Sequence, residues 1–122
     1  SDRLVIADGN FPVMSMGKNA QIIRMDGHGV PEILDAILRV FPLDTYIEKP
    51  VNLMEVMPGD DVQTPIWDVY KKTVEKYDER GKNAIGEIER FKFYEETKTA
   101  YAVIATSEKA LYANIMLQKG VV

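Results

Sequence analysis

Arg3-Leu4-Val5-Ile6-Ala7-Asp8-Gly9-Asn10-Phe11-Pro12 is the stretch on which the fold turns. Leu4 to Ala7 is an unbroken apolar run with β-branched members, closed by Asp8, Gly9 and Asn10. It is too short for helical turns, so it reads as a strand flanked on both faces. Asp8 then sits where the strand meets solvent. Open sheets commonly bind ligands beyond their strand ends, where loops converge side chains that the packed sheet holds still. Asp, Gly and Asn are also ordinary turn formers, and a plain Asx turn reads the same ten residues equally well.

The whole chain has 122 residues, which suits one domain that buries roughly two thirds of its unfolded surface. With 46% hydrophobic and 28% charged residues the composition is that of a globular protein. No apolar run approaches the roughly 20 residues of a membrane-spanning helix, so no such helix is expected. The net charge is -4, with 15 basic residues scattered among 19 acidic ones, which leaves a phosphate backbone little to neutralise and argues against nucleic acid as a partner. Without cysteine there is no disulfide framework and no thiolate chemistry, and a single histidine supplies too few ligands for a usual zinc site. Oxygen-ligand metals stay open, with nothing pointing to one. No signal peptide precedes Ser1, so the cytoplasm is the default location. The first strand begins almost at once after Ser1, and residues upstream of it are expected.

Beyond Pro12, Val13 to Asn19 shows neither strand nor helix periodicity and reads as a loop crossing the sheet end. A second strand follows at Ala20–Arg24, then a turn at Met25-Asp26-Gly27-His28-Gly29. Pro31 stands at the start of a helix reaching about Phe41, with Ile33, Leu34, Ile37, Leu38, Val40 and Phe41 on one broad apolar face and Glu32 against the positive end of the dipole. After a connector from Pro42 to Pro50, Val51–Met57 reads as a third strand. Pro58-Gly59-Asp60-Asp61 ends it, and a helix opens with Thr64 as cap and Pro65 in the first turn, with Gly81 as its stop. Ile66, Val69, Tyr70, Val74 and Tyr77 form the apolar face of that helix, and Lys71, Lys72, Glu75, Lys76, Glu79 and Arg80 read as a solvated face of i,i+4 pairs. Ile85–Arg90 is a fourth strand leading into a short helix at Phe91–Lys98, which brings three aromatics near an arginine. Ala100–Ala105 is a near-continuous apolar strand and so central, and Tyr112–Leu117 is the last strand. Strands alternating with helices predict an α/β protein, a three-layer sandwich around a mostly parallel sheet.

There is no Gly-rich phosphate loop, no His-Glu-x-x-His and no nucleophile elbow. What the pattern leaves is a set of residues at strand ends. Asp8 follows the first strand, Arg90 ends the fourth, Tyr94 opens the short helix, and Tyr112 and Asn114 mark the last strand. A carboxylate acceptor, a forked cation, two phenols and an amide suit a polyhydroxyl ligand, which needs paired donors and acceptors for neighbouring hydroxyls and rings for its C–H face. Trp67 and the methionines read as packing, and Asp60 and Asp61 as turn and helix-start residues, with a reach into a neighbour's pocket as the alternative for one of them.

Ala7-Asp8-Gly9-Asn10-Phe11-Pro12, Arg24-Met25-Asp26-Gly27, Arg90-Phe91-Lys92-Phe93-Tyr94-Glu95 and Tyr112-Ala113-Asn114-Ile115-Met116-Leu117 with Gly120-Val121 resemble, in this order, the RbsD/FucU family of ribose pyranases and fucose mutarotases. The likeness spans essentially the whole chain, residues 1–122, as a single domain. Arg-Phe-x-Phe-Tyr-Glu is more similar to the fucose branch, since a histidine usually stands at the position of Tyr94 in the ribose branch. The resemblance implies a cofactor-free isomerase that interconverts sugar anomers, in a cytoplasmic ring-shaped homodecamer with its sites between subunits. By position, Asp8, Arg90, Tyr112 and Asn114 would bind the sugar, with the backbone of Ala113 beside them. The family normally reads Gly-His-x-Asp before the first strand, with that histidine as proton donor. Ser1-Asp2 are the last two positions of that pattern, so the histidine would stand immediately before Ser1, preceded by a helix this sequence does not contain.

The expectation is therefore a mutarotase acting on L-fucose or a related monosaccharide such as ribose. Asp8 and Arg90 would orient hydroxyls while Tyr94 or Tyr112 assists proton transfer, the general acid–base work that ring opening requires. His28 echoes the missing motif in Gly27-His28-Gly29 but falls in a turn after the second strand, where a solvated turn histidine is the simpler reading. The alternative to an enzyme is a non-catalytic monosaccharide-binding or transport-associated regulatory module, and a structural oligomer ranks third.

Overall fold

A computed structural model describes residues 2–16 and 20–121. Six strands, β1 (Arg3–Ala7), β2 (Gln21–Met25), β3 (Val51–Met54), β4 (Ile85–Ile88), β5 (Ala102–Thr106) and β6 (Ile115–Gln118), form one sheet in the order β2-β5-β1-β6-β3-β4. β1 and β2 both run parallel to β5, and β3 runs parallel to β4. β6 alone is reversed, antiparallel to β1 on one side and β3 on the other. The helices are α1 (Val13–Met16), α2 (Val30–Leu38), α3 (Pro65–Tyr77) and α4 (Arg90–Thr97), with a 3-10 turn at Gly81–Ala84.

The unbroken apolar run of β1 follows from its place inside the sheet. Successive side chains of a strand point to opposite faces, so a strand covered on both faces needs apolar residues at every position. Leu4 and Ile6 pack with the buried residues of α2 and α3, including Leu34, Tyr70 and Val74. Val5 and Ala7 pack on the other side with Phe11, Met54, Phe93 and Met116. Helices thus cover both faces of a mostly parallel sheet, which is the three-layer α/β architecture expected. β5, flanked by β2 and β1, is buried along its whole length, as its composition required.

Several elements end earlier than periodicity suggests, each for a local reason. α2 stops at Leu38 and Val40 is 83% exposed, because Pro42 pushes the residue before it out of helical geometry. Phe41 is nevertheless buried in the core. α3 stops at Tyr77, and Gly81, at φ +56, opens the 3-10 turn instead of closing the helix. Pro65 takes the first turn of α3, but the Thr64 side chain makes no cap bond. Val69 is exposed, whereas Thr73 is buried and returns its hydroxyl to the Val69 carbonyl. Lys76 and Arg80 leave the expected i,i+4 scheme, Lys76 bonding to Asp35 across the α2–α3 contact and Arg80 to Asp78 and the carbonyls of Asp44 and Ile47. The bonds from Lys76 and Tyr77 hold the Asp35 carboxyl below its ordinary range.

β3 ends at Met54 rather than Met57, and the Met57 N–H is used by the Tyr112 hydroxyl instead of a sheet partner. β4 ends at Ile88 because Glu89 caps the next helix, its carboxylate accepting from the N–H groups of Phe91 and Lys92. Arg90 is therefore the first residue of α4 and not the last of a strand. β6 begins only at Ile115, since Tyr112 adopts φ 53 and cannot continue an extended chain. Part of the loop expected after Pro12 is the single helical turn α1, and residues 17–19 of that loop lie outside the described residues. No helix among the described residues is long and apolar enough to cross a membrane.

Candidate active site

The C-terminal ends of β1, β3 and β4 and the start of the reversed β6 lie at one edge of the sheet on four neighbouring strands. This is the place where side chains from separate loops converge over a rigid scaffold. Asp8, Arg90, Tyr94, Tyr112 and Asn114 all line one open pocket of about 270 Å³. All five expected side chains are thus brought together, and Ala113, fully buried, runs beneath them as backbone.

Asp8 satisfies both readings of its sequence at once. Its Oδ1 accepts the Asn10 N–H at 3.0 Å, an Asx turn, and its carboxyl also faces the pocket. Gly9 allows that turn to lie on the neighbouring loop, where its N–H donates to the Glu108 carbonyl at 2.8 Å and any Cβ would press on the same oxygen. Burial pushes the Asp8 carboxyl above its ordinary value, the N–H groups of Asn10, Phe11 and Ala113 oppose that, and the Glu108 charge adds to it. Asn114 is buried, and its Oδ1 accepts the Asp8 backbone N–H at 2.7 Å. Its NH2 group donates to no protein acceptor among the described residues and is left for a ligand.

Arg90 and Tyr94 stand one turn apart on α4. The Arg90 Nε donates to the Tyr94 hydroxyl at 3.1 Å, and the guanidinium carbon lies 5.6 Å from the centre of the Tyr94 ring. The two terminal nitrogens of Arg90 donate to no protein acceptor among the described residues. Tyr94 packs its ring edge-on against Phe11 at 5.5 Å and accepts from Arg90, while its own proton is donated to no protein group among the described residues. Tyr112 differs. Its hydroxyl donates to Asp60 and accepts from the Met57 N–H, and the bond to Asp60 raises the phenol above its ordinary value, so it keeps its proton and that proton is already engaged. The backbone on either side of Ala113 is held from α3: Trp67 Nε1 donates to the Tyr112 carbonyl at 2.7 Å and Tyr70 Oη to the Ala113 carbonyl at 2.6 Å.

Asp60 lines this chain's own pocket and Trp67 binds the site's backbone, so neither is the plain turn or packing residue expected. No spacing signal could have found them, because their partners lie 52 and 45 residues away. Phe11 and Asn10 also line the pocket, and their adjacency to Asp8 was the available clue. His28 is not part of it. β2 is separated from β1 by β5, and the exposed imidazole Nδ1 lies 2.9 Å from Glu32 at the start of α2. His28→Ala should leave sugar binding and any anomer exchange at the wild-type rate, read by NMR on the reducing sugar. Among the described residues there is no group of three or more His, Cys, Asp or Glu that could hold a metal ion.

A carboxylate, an amide, a free phenol and an arginine fork around an aromatic wall make this a small three-layer α/β domain with a pocket suited to a hydroxyl-rich small molecule. Residues 1–122 match the model of the RbsD / FucU transport protein family. The fucose mutarotase of Homo sapiens is 45% identical over 124 residues, covering 98% of this chain and 79% of that protein. The crystal structure of FucU from Bifidobacterium longum superposes with a TM-score of 0.97 at 66% identity, over 99% of this chain and 86% of that one. The crystal structure of the fucose mutarotase in complex with L-fucose from Streptococcus pneumoniae gives 0.91 at 43% identity, over 99% and 84%. The chain belongs to the RbsD/FucU family.

Proposed function

We propose that this protein is a sugar mutarotase, an isomerase that interconverts the α and β anomers of L-fucose. The observation that carries the reading is the convergence of Asp8, Arg90, Tyr94 and Asn114 in one pocket, in a chain whose relatives are fucose mutarotases. Mutarotation moves the proton of the anomeric hydroxyl away, breaks the bond between the anomeric carbon and the ring oxygen, and returns a proton to that oxygen. The open-chain aldehyde then turns and recloses on its other face, with no net change in electrons or atoms. Only general acid–base help and a polar cradle are required.

In this reading Asp8 accepts hydrogen bonds from sugar hydroxyls, and Arg90 and Asn114 donate to them. Tyr112 offers its remaining lone pair as an acceptor. Tyr94 is the phenol that exchanges a proton with the sugar, because the Tyr112 proton is engaged by Asp60 while that of Tyr94 has no protein acceptor among the described residues. The proposal includes assembly into a ring-shaped homodecamer in the cytoplasm with the pocket between subunits. Its support is that the pocket is open and that Leu111 in its lining and Phe91 beside Arg90 are 56% and 64% exposed.

Saturation-transfer NMR on L-fucose tests the activity. The expected result is faster exchange between the α and β anomeric protons in the presence of the protein, and no acceleration would overturn it. The family description as transport proteins favours a second reading, a sugar-binding module, which binding without acceleration would select.

A further inference from the structure

Two residues of α3, Trp67 and Tyr70, reach the backbone that carries the pocket residues Tyr112 and Asn114. Tyr112 is the only non-glycine residue among those described with a positive φ, at 53, so the chain passes through the left-handed region just where the pocket needs it. A conformation of that kind persists only where its surroundings over-determine it. Two hydrogen bonds do so. Trp67 Nε1 donates to the Tyr112 carbonyl at 2.7 Å, and Tyr70 Oη donates to the next carbonyl, that of Ala113, at 2.6 Å.

The geometry of a trans peptide makes these bonds matter to the site. The C=O of Tyr112 and the N–H of Ala113 belong to one planar unit and point in opposite directions. A donor that fixes the carbonyl on the α3 side therefore fixes the Ala113 N–H on the other side, where it faces the Asp8 carboxyl. The Tyr70 bond orients the following peptide unit in the same way, and Asn114 begins there. Tyr70 is fully buried and burial pushes its phenol far above the ordinary range, so it remains a donor. Trp67 and Tyr70 are three residues apart, which places both on one face of α3.

We infer that Trp67 and Tyr70 are positioning residues for the sugar pocket: from α3 they lock the two peptide units around Ala113, and so hold Asp8, Tyr112 and Asn114 in their binding arrangement. Without the Trp67 bond the 112–113 peptide is free to rotate and relieve the strain at Tyr112, which withdraws an N–H from Asp8 and turns Tyr112 away from Asp60. Tyr94 and Arg90 stand on α4 and are not moved by this change. The effect therefore falls on sugar binding and not on the proton-transfer step.

This inference rests on the mutarotase reading for its kinetic form, but sugar affinity tests it independently. Trp67→Phe keeps a flat apolar ring and removes the N–H donor, and Tyr70→Phe removes a single oxygen. Each is expected to raise the KM and the Kd for L-fucose by about tenfold while kcat stays within about twofold of wild type. Thermal melts of both variants control for the fold. Wild-type KM and Kd in a variant that melts cooperatively would overturn the inference, as would a fall in kcat at unchanged KM. Loss of a cooperative melt in both variants would also overturn it, since the pair would then carry the fold and not the site. If the wild-type protein binds fucose without accelerating exchange, the mutarotase reading fails alone and the Kd comparison still decides this one.

Discussion

Tyr94→Phe is expected to slow protein-dependent exchange of fucose anomers by about 100-fold or more, while fucose affinity changes by less than about tenfold. The substitution removes one oxygen and leaves the ring that packs edge-on against Phe11 and lies beneath the Arg90 guanidinium. The contacts proposed for Asp8, Asn114 and the terminal nitrogens of Arg90 remain. What disappears is the phenol of the pocket whose proton is donated to no protein acceptor among the described residues, so the loss should appear in kcat and not in KM. Saturation-transfer NMR at saturating fucose reads it directly. The matching variant Tyr112→Phe should show the opposite split, a raised KM with a smaller change in kcat, because the Tyr112 hydroxyl is engaged by Asp60 and the Met57 N–H. Wild-type exchange in Tyr94→Phe would remove Tyr94 from the chemistry.

Asp8→Asn should weaken fucose binding by about 10- to 100-fold and yet leave the protein at least as stable as wild type at neutral pH. The two effects have one cause. Burial raises the Asp8 carboxyl above its unfolded value of 3.8, so between those two values the folded chain holds more protons than the unfolded one. Stability from this group therefore increases as pH falls through the folded pKa, and at neutral pH the charged, half-buried carboxylate is a net cost. Asn keeps an oxygen for the Asn10 N–H and removes the charge. Thermal melts should place Asp8→Asn at or slightly above wild type at pH 7, with the difference closing as the pH approaches 3.8. The margin is small because the side chain is partly solvated. Wild-type fucose binding should weaken on the acid side at a pH above 3.8, where the carboxylate is lost. A melt several degrees below wild type at pH 7, or retained affinity, would contradict this account.

The contrast between these two residues and Trp67 shows where sequence reading reaches its limit. Asp8 is legible because it stands where an apolar run gives way to a polar residue, and Arg90 because it stands where a strand gives way to a helix; both boundaries survive errors in the exact element ends. Periodicity puts Arg90 at the end of a strand whereas it is the first residue of α4, yet it stays in the pocket because Glu89 caps the helix at the same edge of the sheet. Tyr112 reads as part of a strand but lies before it, and its positive φ has no signature in Leu111-Tyr112-Ala113. Its geometry is imposed by Trp67, Tyr70 and Met57, all more than 40 residues away in the chain. The hydrophobic period runs beyond the helix ends at Leu38 and Tyr77, past the point where Pro42 and the Asp78–Arg80 pair redirect the backbone.

The amino-acid order alone dictated the layer architecture. A run such as Leu4 to Ala7 or Ala102 to Ala105 can be satisfied only by apolar cover on both faces, and the amphipathic helices supply that cover. Periodicity is a local property, and local properties are readable one residue after another. Convergence is not. That Asp8, Arg90, Tyr94 and Asn114 share one pocket depends on the strand order β2-β5-β1-β6-β3-β4, which sets β1, β6, β3 and β4 side by side. The commitment of the Tyr112 proton to Asp60 depends on it as well, because a hydrogen bond between distant residues exists only once the sheet has brought their loops within 3 Å or so of each other.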